Sequence, residues 1–551
     1  MTAARRRLPR SLNRKLWTCG CLRGSKQSPQ FRINYKHCRQ GWFLQIGRRC
    51  CVTIPLLKVC GNRVFEGPTP FPYFGNLPHF GIGVLRGKTL VELMGEWKKR
   101  YGPAMTVWLG PVPAVFVTDF DLALDVFVNQ GDAFVDRLKP PVFAITRGDH
   151  GIVMAEGDLW VEQRRFALHT LRNFGLGRNL MQVKILREFR KQMAPIEREI
   201  EAKGGKTEVN TKRMFSLLIG SIINSLLVGI SYDENNCGEF LALKAKMDSL
   251  GNNLRLTDFF IGRIPFIGRH FDNTVAIQVE VFDHLKQIFH RRKAQIASGE
   301  YSLDGGPQDY IDAYIAEMEK RTSGGFRSSE ADFPQKVMTC GGRLINFSFR
   351  KAQIASGEYS LDDGPQDYID AYIAEMEKRT SENIGYFSEE QLFASLLDMW
   401  AAGQETMITT LLWGVILLIN HPHVQQKMRA EVFEVVGEER DVEESDRKNL
   451  PYTQAVVNDE KNFADPTEFH PERFLSEVDG KTQQQKMIPF GLGKRACMGE
   501  GLARAELYLI LANLIKNYKI TAQERAPEEP IKQLSIFRRP QTFECFFERA
   551  N

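Results

Sequence analysis

The run Phe490-Gly491-Leu492-Gly493-Lys494-Arg495-Ala496-Cys497-Met498-Gly499 is where this chain could do chemistry. Its glycines permit tight backbone turns. It passes straight into a helical stretch ending at Asn517. Cys497 therefore stands just ahead of a helix start, where unpaired N–H groups and the positive helix end favour thiolate over thiol. A thiolate is the electron-donating axial ligand that a haem iron takes. Arg495 offers a planar guanidinium for a propionate carboxylate, and Phe490 can shield the sulfur from water. A lone cysteine in a glycine-rich turn would read as a buried structural residue.

A second polar feature interrupts the most apolar part of the chain. Glu389–Asn420 reads as one long helix that contains Ala402-Gly403-Gln404-Glu405-Thr406. Its longest apolar run, Met407–Ile419, falls short of the ~20 residues of a membrane span, so a buried core helix is expected. Burying Glu405 and Thr406 there is expensive unless they are satisfied or useful. Gly403 costs a helix about 1 kcal/mol relative to Ala. A small residue beside a carboxylate and a hydroxyl implies that something approaches the backbone; helix packing with solvated polar groups is the alternative. Farther upstream, Trp160 and Arg164 lie four apart and share one helix face, which by itself reads as an amphipathic helix with a solvated Arg.

The elements that must position these residues follow from composition and pattern. With 551 residues, 43% of them hydrophobic and 25% charged, the chain is an ordinary globular protein and neither collagenous nor wholly disordered. Residues 1–65 hold 15 Lys or Arg and no acid; as the whole chain carries +6, the remainder carries −9. The basic balance therefore belongs to a leader and does not argue for nucleic-acid binding. No apolar anchor or secretory signal is legible in that leader, which reads as an unstructured basic tail, a wrongly joined exon or a mitochondrial presequence. The body has too few cysteines for a disulfide framework, which points to a reducing compartment.

Two short β-prone runs, Ala104–Leu109 and Ala114–Thr118, read as a hairpin around Gly110–Pro113. Beyond residue 120 the pattern is mainly helical, with helices expected at Leu159–Arg172, Arg213–Leu227, Val275–Ile296, Glu389–Asn420, Pro422–Val436 and Gly499–Asn517. Residues 292–323 recur as 350–381 with one difference, Gly305 against Asp363. Two near-identical copies do not make a solenoid; they read as a recent duplication or a gene-model error.

Five positions, Phe490, Gly493, Arg495, Cys497 and Gly499, fit one template whose chance match is on the order of one in a few thousand. On them residues 66–551 resemble the cytochrome P-450 family, the haem-thiolate monooxygenases, and look closest to its microsomal drug-metabolising branch. Gly67-Pro68-Thr69-Pro70 resembles the family's proline hinge, Trp160-x-x-x-Arg164 its helix C motif, and Ala402–Thr406 its oxygen-binding notch. Phe469-His470-Pro471-Glu472-Arg473-Phe474 resembles the segment before the haem loop.

The resemblance implies a mainly α fold with a small β region, a single large haem-binding domain that is incomplete here. It implies haem b with Cys497 on the iron. Arg495, Phe490, Gly493, Gly499, Trp160, Arg164, Ala402 and Gly403 would surround it, Glu405 and Thr406 would relay protons, and Arg473 would be structural. Electrons would come from NADPH through NADPH-cytochrome reductase, or through a ferredoxin if the protein is mitochondrial. One atom of O2 would enter a small hydrophobic substrate, a xenobiotic, fatty or organic acid, or steroid. Pocket walls would come from 134–157, parts of 217–270, 396–410 and 534–537. The expected place is the cytoplasmic face of the endoplasmic reticulum, with peripheral membrane contact.

One departure stands out. The family's Glu-x-x-Arg helix has no counterpart: Glu162/Arg165 and Glu444/Arg447 both lie in the wrong context, and some tens of residues are missing near Asn458. Without those partners a buried Arg473 would destabilise the fold by roughly 3–5 kcal/mol. This keeps open a degenerate haem-binding pseudoenzyme, a faulty gene model of an active enzyme and, less well supported, an oxygen-independent haem-thiolate isomerase.

Overall fold

The computed structural model describes residues 65–88, 90–173, 179–253, 258, 260, 269–303, 307–323, 387–458, 469–475, 487–529, 531 and 539–550. The leader up to residue 64, the second repeat copy and the wall at 534–537 lie outside the described residues.

After α1 (Leu77–Leu85) and α2 (Leu90–Tyr101) the chain forms an antiparallel hairpin. Its strands are β1 (Ala104–Leu109) and β2 (Val112–Val117), with Trp108 opposite Pro113. The turn is shorter than expected, because Pro113 sits inside β2. Trp108 directs its own N–H and carbonyl to Asn76, at 2.7 and 2.6 Å. That register position needs no donor from the facing residue, so Pro113 forfeits no ladder bond.

Short turns and α3 (Phe120–Leu124) lead to α4 (Pro141–Arg147) and then to α5 (Gly157–Asn173), α6 (Asn179–Ala202), α7 (Thr211–Leu227), α8 (Gly238–Asn253), α9 (Arg269–Ala297) and α10 (Tyr310–Ser323). The C-terminal half contributes α11 (Glu389–Asn420), α12 (Pro422–Val436), α13 (Pro451–Asn458) and α14 (Glu500–Asn517). Each of the six helices expected from periodicity is present, and α11 and α12 have the expected ends. Ser388 caps α11 by accepting from the Gln391 N–H, and Pro422 fills the first turn of α12, where no N–H partner is needed.

A three-stranded antiparallel sheet of β3 (Lys206–Glu208), β4 (Tyr518–Thr521) and β5 (Phe546–Arg549), in the order β3-β5-β4, was not legible in the sequence. Its strands are three or four residues long, and β3 pairs with a strand more than 300 residues away, so local alternation carries almost no signal.

α11 meets the length and hydropathy expected of a membrane span, but Leu396, Leu411, Val415 and Ile416 are fully buried. It packs against α7, α9 and α14 at the centre of the main apolar cluster. The first repeat copy is an integral part of that packing. Arg292 pairs with Asp309 at 2.9 Å and with Asp312, Tyr310 and Tyr314 are fully buried, and the Tyr314 hydroxyl donates to the Ser388 carbonyl at 3.0 Å.

Candidate active site

The cysteine loop is held mostly through the main chain. Gly491 and Gly493 have φ of +76° and +72°, a region that L side chains rarely enter. A Cβ on Gly493 would stand 1.9 Å from the Phe127 carbonyl oxygen. The Cys497 N–H donates to the Phe490 carbonyl at 2.8 Å, and Gly499 is the N-cap of α14. The Cys497 thiol is free and exposed.

Arg495 stitches this loop to the chain before α5. Its Nε donates to the Val135 carbonyl (2.7 Å), Nη1 to Ile152 (3.3 Å) and Nη2 to Ala155 (2.6 Å). Its guanidinium lies 4.0 Å from the Trp160 ring centre, and Arg164 donates to the Ala496 carbonyl at 2.6 Å. Trp160, Arg164, Arg495 and the cysteine loop therefore meet. Burial, followed by repulsion from Arg137 and Arg164, lowers the Arg495 guanidinium to about 10. Burial likewise depresses Arg137. Arg137, Arg164 and Arg495 repel one another, only partly offset at Arg495 by Asp136 and Glu156, which leaves the cluster suited to an anion. Arg137 was missed from sequence because it has no spacing relation to the loop; tertiary packing alone brings it in. Phe490 packs under the Arg504 guanidinium, 4.9 Å from its ring centre.

α11 presents a different kind of feature. Ala402, Thr406 and Thr410 recur every fourth residue and are exposed, although the same helix is elsewhere buried. The Thr406 hydroxyl donates to the Ala402 carbonyl at 2.6 Å. Glu405 is partly buried and satisfied: Oε1 accepts from Arg539 Nε at 2.6 Å and Oε2 from Lys244 Nζ at 3.1 Å. The expected burial of Thr406 is thus corrected, because that face opens away from the core. Gly403 points elsewhere: a Cβ there would lie 2.8 Å from Ile223 on α7, so its small size serves the helix crossing. The segment 151–155 joins the two features. Asp398 on α11 accepts from the Ile152 and Val153 N–H groups at 2.8 Å each, while Arg495 grips the Ile152 carbonyl.

Arg473 does not carry the expected buried-charge cost. It is partly exposed, and its Nε donates to the His470 carbonyl at 2.9 Å. The Glu444–Arg447 pair sits in a short 3-10 turn, with Arg447 donating to the Arg504 carbonyl of α14 at 3.2 Å. Glu162 and Arg165 lie on α5.

These residues fit a haem. The exposed Cys497 thiol would be the iron's ligand, the guanidiniums of Arg164 and Arg495 would meet the propionates, and the exposed small and hydroxyl side chains of α11 would leave space for the group. When bound, haem supplies the redox and oxygen chemistry.

Comparison with known proteins agrees. A model of the cytochrome P-450 family matches residues 65–342, 344–459 and 456–547. The chain is 28% identical over 516 residues to the Caenorhabditis elegans cytochrome P-450 cyp-35D1, covering 84% of this chain and 90% of that protein. It is 26% identical over 519 residues to cytochrome P-450 2C44 of Mus musculus, covering 86% and 91%. It is 27% identical over 531 residues to cytochrome P-450 2B2 of Rattus norvegicus, covering 88% and 94%. These matches establish that the chain belongs to the cytochrome P-450 family of haem-dependent monooxygenases.

Proposed function

We propose that this chain descends from, and with its missing segment restored acts as, a monooxygenase that inserts one atom of O2 into small hydrophobic molecules. NADPH would supply electrons through NADPH-cytochrome reductase. The observation that carries this reading is the exposed Cys497 thiol at the end of a loop that Arg495 bonds to three separate carbonyls. Trp160, Arg137, Arg164 and Arg495 would hold the haem carboxylates, Phe490 would shield the proximal side, and Thr406 and Glu405 would hold and pass protons opposite it. Cys497 would be the metal ligand.

The test is the carbon monoxide difference spectrum of the reduced, hemin-loaded protein, followed by NADPH-dependent product formation with added reductase. A thiolate-type band with turnover supports the reading. A band without turnover supports the pseudoenzyme, and turnover that needs neither O2 nor reductase supports an isomerase.

The domain reading is a leader at 1–65 followed by an oxygenase domain at 66–551, with a duplication and a deletion near 458. Its support is that the family match breaks at 342–344 and overlaps itself at 456–459, beside the duplication and at the expected gap. Sequencing the transcript across 457–459 tests it.

Contact with the cytoplasmic face of the endoplasmic reticulum is supported by exposed apolar side chains near the N-terminal end of the domain: Phe71, Tyr73, Phe74, Ile82, Leu85 and Val91. Mitochondrial import, with a ferredoxin donor, is the alternative that fractionation would separate.

A further inference from the structure

We propose that Lys244 and Arg539 are positioning residues for Glu405, a two-cation clamp that fixes where its carboxylate stands beside Thr406. The inference rests on the monooxygenase reading for its consequence but on geometry for its existence.

Glu405 uses one oxygen for each cation, Oε1 for Arg539 and Oε2 for Lys244. The cations come from different parts of the fold, Lys244 from α8 and Arg539 from the segment that leads to β5. One tether would leave the carboxyl group free to rotate; two on opposite oxygens fix both its place and its torsion. Side-chain exposure is only 6% for Lys244, 12% for Arg539 and 19% for Glu405, so water screens these contacts weakly.

The Lys244 end is itself held. Lys244 also pairs with Asp248 one turn along α8, and Asp248 pairs with Lys212 at 3.1 Å. Burial works against the Asp248 charge, but Lys244 and Lys212 outweigh it and keep that carboxyl below its ordinary range. Asp248 thereby holds the Lys244 side chain against α11. Glu405 can reach toward Thr406, the next residue, only as far as this clamp allows.

The test uses Lys244→Met and Arg539→Met, each alone and combined with Glu405→Gln, together with Glu405→Gln alone and with Lys244→Arg and Arg539→Lys as conservative controls. In the full chain without haem, a water-soluble carbodiimide should label Glu405 several-fold faster in either Met variant, with ordinary rates restored by the conservative variants. Unchanged labelling in the Met variants overturns the clamp. In the hemin-loaded, segment-restored protein, product formed per NADPH should fall about tenfold in each Met variant, with partial rescue by the conservative variants. Combining either with Glu405→Gln should add no further loss. A Met variant whose loss persists in full on top of Glu405→Gln acts independently of the carboxylate and overturns the proposal. Failure of the monooxygenase reading is distinct: it removes the thiolate-type band from the unsubstituted protein and leaves the labelling result intact.

Discussion

The cysteine loop and the Ala402–Thr406 stretch of α11 both present polar groups at the margin of the apolar core, yet they are held by different means. The loop is fixed by backbone: two glycines at positive φ, a Phe490 carbonyl that receives the Cys497 N–H, and carbonyls gripped by Arg495 and Arg164. The notch is fixed by side chains: a hydroxyl bonded back onto its own helix and a carboxylate between two cations. Main-chain geometry tolerates little substitution, whereas side-chain geometry can be altered while the helix stays in place. The cysteine loop is therefore expected to lose structure when changed, and the Ala402–Thr406 stretch to lose chemistry.

Cys497→Ser should have the largest effect on function and is the exception that sharpens this contrast. The thiol is exposed and its backbone N–H is retained, so a shift of under about 0.5 kcal/mol in urea unfolding is expected. The thiolate-type carbon monoxide band should disappear completely. A retained band would mean that another residue ligates the iron.

The largest stability effect is expected just beyond the loop. Glu506 on α14 is fully buried, and neither of its oxygens has a hydrogen-bond partner among the described residues. Burial pushes its carboxyl up to about 8, from an ordinary 4.5. The folded state therefore favours the protonated form. Stability from this group is intact below pH 4.5 and is lost as pH rises toward 8. Glu506→Gln should stabilise the protein by at most roughly 4 kcal/mol at pH 7.5, with the gain shrinking to nothing near pH 4.5. A gain independent of pH in urea melts would break this account.

Gly493→Ala tests the backbone half of the comparison directly. Positive φ and collision with the Phe127 carbonyl should cost about 3 kcal/mol and impair hemin uptake. If the variant unfolds at the unsubstituted urea midpoint, the loop is not held as described.

Thr406→Ala tests the other half. The hydroxyl is exposed and bonds within its own helix, so the urea midpoint should move by less than about 0.5 kcal/mol. Product per NADPH should fall by about tenfold or more. A stability loss like that of Gly493→Ala would erase the distinction between the two regions.

Much of this molecule was legible beforehand because its signals are local. The 3.6-residue periodicity located α5, α7, α9, α11, α12 and α14, and the expected bounds of α11 and α12 are those observed. The glycines around Cys497 announced a turn that only glycine can make. Other features depended on contacts distant in sequence. Pro113 looked like a strand breaker until Asn76 took the Trp108 polar groups. Gly403 was read as room for a ligand, whereas Ile223 from another helix fills that space. Arg473 was expected to be buried, and its turn leaves it partly in water.

Residue types and short spacings, then, determined the cysteine loop, the adjacent Glu405 and Thr406, the helices and the repeated segment, since each is a property of neighbours along the chain. Tertiary structure alone decided that Arg137 joins Arg164 and Arg495, and that Lys244 and Arg539 close on Glu405. Charges 27 to 358 residues apart carry no mutual spacing rule. They interact only because burying the apolar faces of their helices brings them together in a medium that screens them poorly.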